Sequence, residues 1–394
     1  MSEILFTNAR IVTPTGIASG EVLTRDGHIA AVARGILPGG RSDGVRVIDA
    51  EGRYLSPGFI DVHTHGAGGA DFMDGSLEAI YTACQAHLKH GTTSIVPTTI
   101  TSTRESLMDF VDLFNQAELY RQGHPEILGL HLEGPYFAME QRGAQDPKYM
   151  RPPQPDEYEE VLRRTDRVIR WSFAIELEGA MTFLAFLRAH GIVSSVAHSD
   201  ATCREVMDAY DNGVTALTHF YSGMAGVRRI DAYRVAGAIE AGYLIDGMYV
   251  EVIADGKHLP AELLQLIYKV KGPDRICLVS DSMRAAGMPD GPYKLGNLET
   301  GVDCFVEDGV AKMPDRTAFA GSVATADRLV RTMRDLAGVP LYEAVAMMTS
   351  TPARLLGVNG RKGAIAVGMD ADLLLFDEAV NVSLVMARGE IVKE

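Results

Sequence analysis

The most informative stretch of the chain runs from Leu55 to Gly75 and reads LSPGFIDVHTHGAGGADFMDG. It is an apolar, β-rich run that ends in two histidines, His63 and His65, with one residue between them. The glycines that follow indicate that the strand ends there. A histidine at the end of a strand either binds a metal ion or completes a structural hydrogen bond, and this stretch alone leaves both interpretations open.

Seven further β-rich runs follow along the chain, most of them separated by segments with helical periodicity. The eight runs are GFIDVHTH, TSIVPTT, ILGLHLEG, IRWSFAIE, IVSSVAHSD, ALTHFY, MYVEVIADG and RICLVSDS. Helical segments between them include SLEAIYTACQAHLKHG, AMTFLAFLRAHG, ATCREVMDAYDNG and PAELLQLIYKVKG, each ending in a glycine that suits a helix C-terminus. This alternation predicts an α/β protein, with a (β/α)₈ TIM barrel over residues 57–357.

The two ends of the chain have a different pattern. Residues 1–56 contain alternating apolar residues and the hairpin signal VLTRDGHIAAV, and the tail GMDADLLLFDEAVNVSLVMARGEIV is similar. We therefore expect residues 1–56 and 358–394 to pair into one small β-sandwich domain beside the barrel.

Composition excludes several classes of function. Among 394 residues, 46% are hydrophobic and 23% are charged, which is typical of a soluble globular protein. A net charge of -15 argues against nucleic acid or an anionic membrane surface as a partner, and no apolar run approaches the roughly 18 residues of a membrane span. The four cysteines are scattered and the N-terminus lacks the pattern of a signal peptide, so a cytoplasmic location is expected.

Polar residues occur at the carboxyl ends of five of the eight runs, which is the face of a TIM barrel where active sites lie. They are His63, His65, Glu133, His198, His219 and Asp281. Each one alone is more often a structural residue. As a converging set they would bury charge and imidazole lone pairs at high cost unless a cation joined them. The set therefore predicts a site for a divalent metal ion.

The same residues lie in motifs that resemble the N-acetylglucosamine-6-phosphate deacetylase family of the amidohydrolase superfamily. These motifs are PGFIDVHTHG, HLEGPY, VAHSDA, THFYSGM, VIADGKH, LVSDS, AGSVATADRLVR and TPARLLG. The resemblance implies that Glu133, His198 and His219 bind the one metal ion that is constant in the family. His63 and His65 match a pair that in some members binds a second ion bridged by Glu133, so one or two ions per chain are expected. The mixed nitrogen and oxygen ligands favour zinc, with iron as the alternative. The resemblance also implies that Asp281 is the general base and acid of amide hydrolysis.

The chain departs from the family pattern where the family binds its substrate. Gln145 replaces a histidine, and Ser222 and Gly223 replace an Asn-Ala pair that contacts the sugar phosphate. Asp231 aligns with the family's phosphate-binding arginine, which often comes from a neighbouring subunit; this implies a homodimer. Arg228, Arg229 or Arg234 could replace that arginine, and His258 matches a substrate-binding histidine of the family.

Three functional interpretations follow. The first is a metal-dependent deacetylase of N-acetylglucosamine-6-phosphate. The second is an amidohydrolase that acts on another N-acyl compound, either N-acetylgalactosamine-6-phosphate or an unphosphorylated amide. The third is a catalytically silent barrel used for binding, which is disfavoured because such a protein is expected to have lost ligands. Glu251, inside an otherwise apolar strand, is explained by none of them; a buried partner is the simplest interpretation.

Overall fold

The structure is a computed structural model that describes residues 3–37 and 44–394. In chain order its strands are β1 (Glu3–Thr13), β2 (Gly16–Arg25), β3 (His28–Arg34), β4 (Arg46–Asp49), β5 (Tyr54–Pro57), β6 (Phe59–Thr64), β7 (Gly66–Ala67), β8 (Ala70–Asp71), β9 (Thr92–Pro97), β10 (Glu126–Ile127), β11 (Leu130–Glu133), β12 (Val168–Phe173), β13 (Val193–Val196), β14 (Val214–Leu217), β15 (Arg228–Ile230), β16 (Tyr233–Val235), β17 (Tyr249–Val252), β18 (Ile276–Leu278), β19 (Gly291–Leu295), β20 (Val302–Glu307), β21 (Val310–Lys312), β22 (Leu373–Phe376), β23 (Val382–Ala387) and β24 (Glu390–Lys393).

The helices are α1 (Leu77–Leu88), α2 (Arg104–Phe114), α3 (Pro155–Arg164), α4 (Ala180–Ala189), α5 (Cys203–Asp211), α6 (Ala238–Leu244), α7 (Ala261–Lys271), α8 (Ala326–Asp335), α9 (Leu341–Met347) and α10 (Ser350–Leu355). Polar side chains cap the N-termini of several helices. Ser76 caps α1 by accepting a hydrogen bond from the backbone of Ala79, and Thr202 and Glu205 form a capping box on α5. Among the described helices, none has both the length and the apolar character needed to cross a bilayer.

The centre of the molecule consists of two parallel sheets, with strand orders β10-β9-β6 and β11-β12-β13-β14-β17-β18. Hydrogen bonds join them at both sides: Thr99 N donates to His131 O at 3.1 Å, and Asp281 N donates to His63 O at 2.9 Å. Each of the eight runs identified in the sequence contains one of these strands, and the α/β class is confirmed. Because the strands are parallel, their carboxyl ends lie on one side of the molecule.

Strands from both ends of the chain share one further sheet, in the order β24-β23-β22-β5-β1-β2-β3, with β4 also paired to β1. The register of β22 against β5 runs from Leu373 opposite Pro57 to Phe376 opposite Tyr54. The predicted pairing of the two chain ends is therefore present. This sheet has its own apolar core, which includes Phe6, Ile11, Leu55, Leu375 and Leu384.

A three-stranded antiparallel sheet, β19-β20-β21, follows β18 and was not anticipated from the sequence. It packs around a separate apolar cluster that includes Met283, Leu295, Cys304 and Val306. The segment after it returns to β18, where Ser322 N donates to Asp281 O at 2.8 Å. The insertion therefore lies beside the carboxyl ends of the parallel strands.

Candidate metal centre and active site

The polar residues predicted from the strand ends do converge. Glu133 is the last residue of β11, while His198, His219 and Asp281 follow β13, β14 and β18 by two or three residues. Those three residues have positive φ angles, 45°, 31° and 43° respectively. Non-glycine residues rarely adopt this left-handed conformation, and where they do the local strain is often found at functional sites. Here it accompanies side chains that meet at one point.

Glu133 is the centre of the cluster. Its Oε1 lies 3.0 Å from His219 Nε2 and 3.4 Å from His198 Nε2, and its Oε2 lies 3.4 Å from His65 Nε2. His63 Nε2 is 3.7 Å from Oε1. Two groups of three possible metal ligands result, both containing Glu133: one with His63 and His65, the other with His198 and His219. Two adjacent ions bridged by one carboxylate would fit this arrangement.

The outer nitrogens of two of these rings are held by backbone carbonyls. His198 Nδ1 lies 2.8 Å from Gln141 O, and His219 Nδ1 lies 3.0 Å from Ser222 O. A carbonyl only accepts hydrogen bonds, so Nδ1 carries a proton in both rings and Nε2 is the nitrogen that faces Glu133. Metal-binding histidines are normally held in this way. A lone pair and a carboxylate at these distances need a shared proton or a cation between them, so the cluster fits a metal ion.

The electrostatics of the cluster indicate the same requirement. Burial raises the pKa of Glu133, but hydrogen bonds with His198 and His219 hold it well below its ordinary range. Burial lowers the pKa of His65, but the hydrogen bond with Asp281 and the charge of Glu133 raise it to about 9. The carboxylates therefore draw positive charge into a buried site. A divalent ion supplies that charge and displaces the protons, so its binding is linked to proton release.

Asp281 and four of the predicted substrate-binding residues lie on a cavity of about 230 Å³ next to the ligand cluster. Asp281 Oδ1 is 3.1 Å from His65 Nε2 and 3.4 Å from His63 Nε2. The lining includes Gln145, Ser222, Gly223, His258, Leu295 and Phe319. A larger cavity of about 400 Å³ lies beyond Ile100 and Leu295 but contains none of the ligand residues, so the smaller cavity is the candidate active site.

Comparison with known proteins agrees with this geometry. Residues 54–392 match the model of the amidohydrolase family. The chain belongs to the amidohydrolase family. It is 31% identical to an N-acetylglucosamine-6-phosphate deacetylase of Lysinibacillus sphaericus, over 98% of this chain and 97% of the relative. It is also 31% identical to an N-acetylgalactosamine-6-phosphate deacetylase of Escherichia coli O157:H7, over 93% of this chain and 95% of the relative.

Solved structures show the same relationship. An N-acetyl-D-glucosamine-6-phosphate deacetylase from Mycobacterium smegmatis, an aspartate-to-alanine mutant in complex with N-acetyl-D-glucosamine-6-phosphate, superposes with a TM-score of 0.90 at 32% identity and covers 100% of both chains. The N-acetylglucosamine-6-phosphate deacetylase of Thermotoga maritima gives 0.85 at 33% identity, covering 98% of this chain and 99% of the other. The resemblance inferred from the motifs is thereby confirmed.

Two residues that line the cavity of this amidohydrolase are held by direct hydrogen bonds. Gln145 Nε2 donates to Glu133 Oε2 at 3.1 Å, and its Oε1 accepts from Thr101 N at 3.1 Å. His258 Nδ1 donates to Asp255 Oδ2 at 2.8 Å. Gln145 thus steadies the carboxylate at the centre of the cluster while facing the cavity. Asp255 fixes the ring of His258, and neither it nor the Gln145 contact was anticipated from the sequence.

The predicted arginines are not part of the cavity lining. Arg228 begins the hairpin β15–β16, and its guanidinium forms a salt bridge of 2.5 Å with Asp200 and donates to the backbone oxygen of the same residue at 2.8 Å. Arg229 is exposed on the same strand. Arg228 lines a neighbouring surface groove instead. The structure therefore brings together the candidate metal ligands with Asp281, Gln145, Ser222, Gly223 and His258, and leaves Arg228, Arg229 and Arg234 outside that group.

Two buried charged residues contact or lie near the ligand cluster: Glu251, which the sequence left unexplained, and Arg170, which was not predicted. Glu251, in β17, lies with its Oε2 3.0 Å from His63 Nδ1. Arg170, in β12, pairs with Glu251, and both side chains are fully buried. The signal for both was the same: a charged residue inside an otherwise apolar strand requires a partner. That signal was noted for Glu251 and overlooked for Arg170.

Proposed function

We propose that the protein is a metal-dependent deacetylase that converts N-acetylglucosamine-6-phosphate to glucosamine-6-phosphate and acetate. The observation that carries the proposal is the pair of three-ligand groups that share Glu133 and adjoin Asp281 at the floor of a cavity. The relatives and solved structures described above are deacetylases of phosphorylated N-acetyl amino sugars. Support therefore comes independently from the chemistry of the site and from the relatives.

The ligand types favour zinc, with iron as the alternative, because imidazole nitrogens and carboxylate oxygens suit both ions. We propose that Glu133, His198 and His219 hold one ion and that His63, His65 and Glu133 hold a second. A bound divalent ion supplies Lewis acidity, which lowers the pKa of water to about 7 and polarises a carbonyl group. The protein's own contribution is to position these ligands and to hold and move the proton.

We assign that proton transfer to Asp281. Burial raises its pKa, but the charges of His63 and His65 outweigh this and lower the pKa below its ordinary value, so the carboxylate is ionised and able to accept a proton. It lines the cavity, where it can take the proton from the attacking water and later give it to the leaving amine. The reaction then needs no nucleophilic side chain.

The remaining cavity residues are proposed to bind the sugar. Gln145 can donate a hydrogen bond but carries no charge, and Ser222 and His258 offer further polar groups in the same lining. Gly223 leaves room for the ligand cluster: a Cβ built there would lie 2.7 Å from His198 Nδ1, and its φ of +58° also favours glycine. A side chain at position 223 would therefore displace the ring of His198.

The phosphate is proposed to be bound by Arg228 or Arg229, which requires an arrangement beyond the lining of this cavity. One such arrangement is a homodimer, in which the hairpin of one subunit reaches the site of the other. Exposed apolar residues on the hairpin support it, since Ile230 is 43% and Tyr233 is 77% exposed. Burying them against a second copy would place the arginines close to a protein surface.

We also propose a closed (β/α)₈ barrel over residues 57–357 with a small β-sandwich domain built from residues 1–56 and 358–394. Hydrogen bonds that join the two parallel sheets on both sides support closure, and the shared sheet of the chain ends supports the second domain. A cytoplasmic location is proposed as well; the four cysteines, Cys84, Cys203, Cys277 and Cys304, are free thiols, which agrees with a reducing compartment.

N-acetylgalactosamine-6-phosphate is the second candidate substrate, because the relative from Escherichia coli O157:H7 is named for it. The deciding experiment measures kcat/KM of the zinc-loaded enzyme for N-acetylglucosamine-6-phosphate, N-acetylgalactosamine-6-phosphate and free N-acetylglucosamine. We expect the first to exceed both others by at least about 10-fold. Preference for the second would change the sugar, and equal rates on phosphorylated and free sugar would contradict the phosphate assignment.

A further inference from the structure

The clearest feature that the proposed reaction does not use is a pair of buried charges directly beneath the ligand cluster. Glu251 and Arg170 are both 0% exposed and lie side by side on β17 and β12. An isolated charge at such depth is strongly disfavoured, so the pair must be held by its surroundings. The residues that contact Glu251 and Arg170 indicate what the pair does.

Glu251 contacts both groups of metal ligands. Its Oε2 lies 3.0 Å from His63 Nδ1 and also accepts a hydrogen bond of 3.2 Å from the backbone nitrogen of His219. An ionised carboxylate can only accept hydrogen bonds, so His63 Nδ1 donates to Glu251 and His63 Nε2 is turned towards Glu133 and Asp281. That Nε2 is buried and has no hydrogen-bond partner among the described residues.

Arg170 is held in place by hydroxyl groups and a carbonyl. Its guanidinium donates to Ser195 Oγ at 3.0 Å, to Thr218 Oγ1 at 3.1 Å and to Val62 O at 3.3 Å, in addition to pairing with Glu251. These partners lie on β13, just after β14 and on β6 of the other parallel sheet, so the guanidinium is fixed from several sides. The permanent positive charge of Arg170 compensates the buried negative charge of Glu251 and holds that carboxylate where it can accept from His63.

We propose that Glu251, supported by Arg170, is a positioning residue that makes His63 a competent ligand for the second metal ion and thereby sets the number of ions that the enzyme holds. The inference rests on the proposed metal-dependent function. His198 and His219 have backbone carbonyls to fix their rings, whereas His63 depends on a side chain. Loss of Glu251 should therefore weaken one metal site selectively and spare the other.

The test compares the wild type with Glu251→Gln, which keeps the shape of the side chain and removes its charge. Full-length protein is stripped with a chelator, reloaded with Zn²⁺ or Co²⁺, and analysed for ions per chain and for the affinity of each ion. We expect the wild type to bind two ions. In Glu251→Gln the affinity for the second ion should fall about 10- to 100-fold, with the first ion retained. Cobalt absorption should show the loss of one ligand environment.

The chain provides a matched control for general damage. Glu126, in β10, is another buried glutamate with basic partners, Arg361 and Lys362. Glu126→Gln removes the same charge from a comparable environment outside the ligand cluster. It should lower stability without changing the affinity for either ion. An equal loss of the second ion in both variants would overturn the proposal, because general destabilisation would then explain it.

A second variant addresses misfolding of Glu251→Gln. The double variant Arg170→Met, Glu251→Gln removes both charges, so no unpaired guanidinium remains, and it should fold and still lack the second ion. Unchanged binding of two ions in either variant would overturn the positioning role while leaving the deacetylase proposal intact. A wild type that binds one ion would also overturn it. Failure of the wild type to bind any divalent ion would instead overturn the proposed function itself.

Discussion

The hairpin β15–β16 follows His219 along the chain, but it is held very differently from the ligand cluster to which His219 belongs. His63, His198 and His219 are buried and tied at their outer nitrogens to Glu251, Gln141 and Ser222 respectively. The hairpin is a two-stranded sheet of three residue pairs, and most of its side chains are exposed. One region is buried and hydrogen-bonded on several sides, whereas the other is mostly exposed to solvent.

This difference separates two aspects of the enzyme. The proposed hydrolysis requires metal ligands and a proton carrier held in place, and we assign both to the buried cluster. We assign recognition of the anionic end of the substrate to Arg228 and Arg229, of which the half-buried Arg228 already pairs with Asp200. Under this assignment, changes in the hairpin alter which substrate is used without disturbing the reaction. The following predictions test that separation.

The largest effect is expected inside the cluster. Asp281→Asn keeps the shape of the side chain but removes the carboxylate that takes the proton, so kcat should fall by at least about 10²-fold while KM changes little. The measurement is steady-state kinetics with N-acetylglucosamine-6-phosphate, accompanied by metal analysis. Metal content should stay near the wild-type value.

Asp200→Asn is the matched control, because it makes the same chemical change at the aspartate that pairs with the hairpin. Its kcat should stay within about 3-fold of the wild type. Near-normal kcat in Asp281→Asn would assign the proton transfer elsewhere, with His258 the next candidate. A large loss of kcat in Asp200→Asn would show that the hairpin and the cluster do not act separately.

The ligand cluster could be predicted from the sequence because strand order limits where its residues lie. Once eight strands run parallel, residues at their carboxyl ends must meet on one side, so His198 and Asp281 are neighbours despite their separation in the chain. The hydrogen bonds beneath them could not be predicted in the same way. Which buried acid meets which histidine depends on side-chain packing, and Glu251 therefore stayed unexplained until the structure placed it beside His63.

The hairpin shows a second limit of sequence reasoning. Arg228 and Arg229 were selected because they align near an arginine of the family, but alignment does not fix the direction of an exposed loop. The structure pairs Arg228 with Asp200, two residues after His198. The antiparallel sheet β19–β21 was not predicted either. A (β/α)₈ barrel is expected to have a helix after each strand, and three short strands follow β18 instead.

A smaller effect is expected in the hairpin. Arg229→Glu reverses an exposed charge, so the KM for N-acetylglucosamine-6-phosphate should rise about 10-fold, with kcat within about 2-fold of the wild type. Arg228→Glu should raise KM as well, and it should also disturb the contact with Asp200. The measurement is kcat and KM for the phosphorylated and the free sugar at low ionic strength.

Arg163→Glu, on an exposed position of α3, is the control for net charge and should leave KM unchanged. The free sugar should respond to none of these variants. If both hairpin variants behave like Arg163→Glu, the arginines are solvated surface charges and the phosphate is bound by other groups. That result would assign recognition as well as chemistry to the cavity.

The smallest effect is expected on the free energy of unfolding, through His87, which is buried near the ligand cluster. His87, on α1, is 1% exposed and contacts Thr64 Oγ1 and Ser282 Oγ through Nε2. Burial lowers its pKa from 6.5 to about 4, so the folded protein keeps the ring neutral while the unfolded chain takes up a proton below pH 6.5. Stability is therefore lost as the pH falls from 6.5 towards 4. Between pH 7 and pH 6 the loss from this residue should be about 0.7 kcal/mol.

Urea unfolding of the metal-free protein at these two pH values measures that loss. His87→Gln removes the titrating ring, so its stability should fall less than that of the wild type over the same interval, even if the variant is less stable at both pH values. Tyr233→Ala, in the hairpin, should show the same pH dependence as the wild type, because an exposed side chain without a titration in this range adds nothing to the linkage. Equal pH dependence in the wild type and His87→Gln would mean that the ring protonates as readily in the folded protein as in the unfolded chain. The surroundings of His87 would then admit a proton without a cost in stability. The contrast between a buried, fixed region and the exposed hairpin would hold only for the ligand cluster itself.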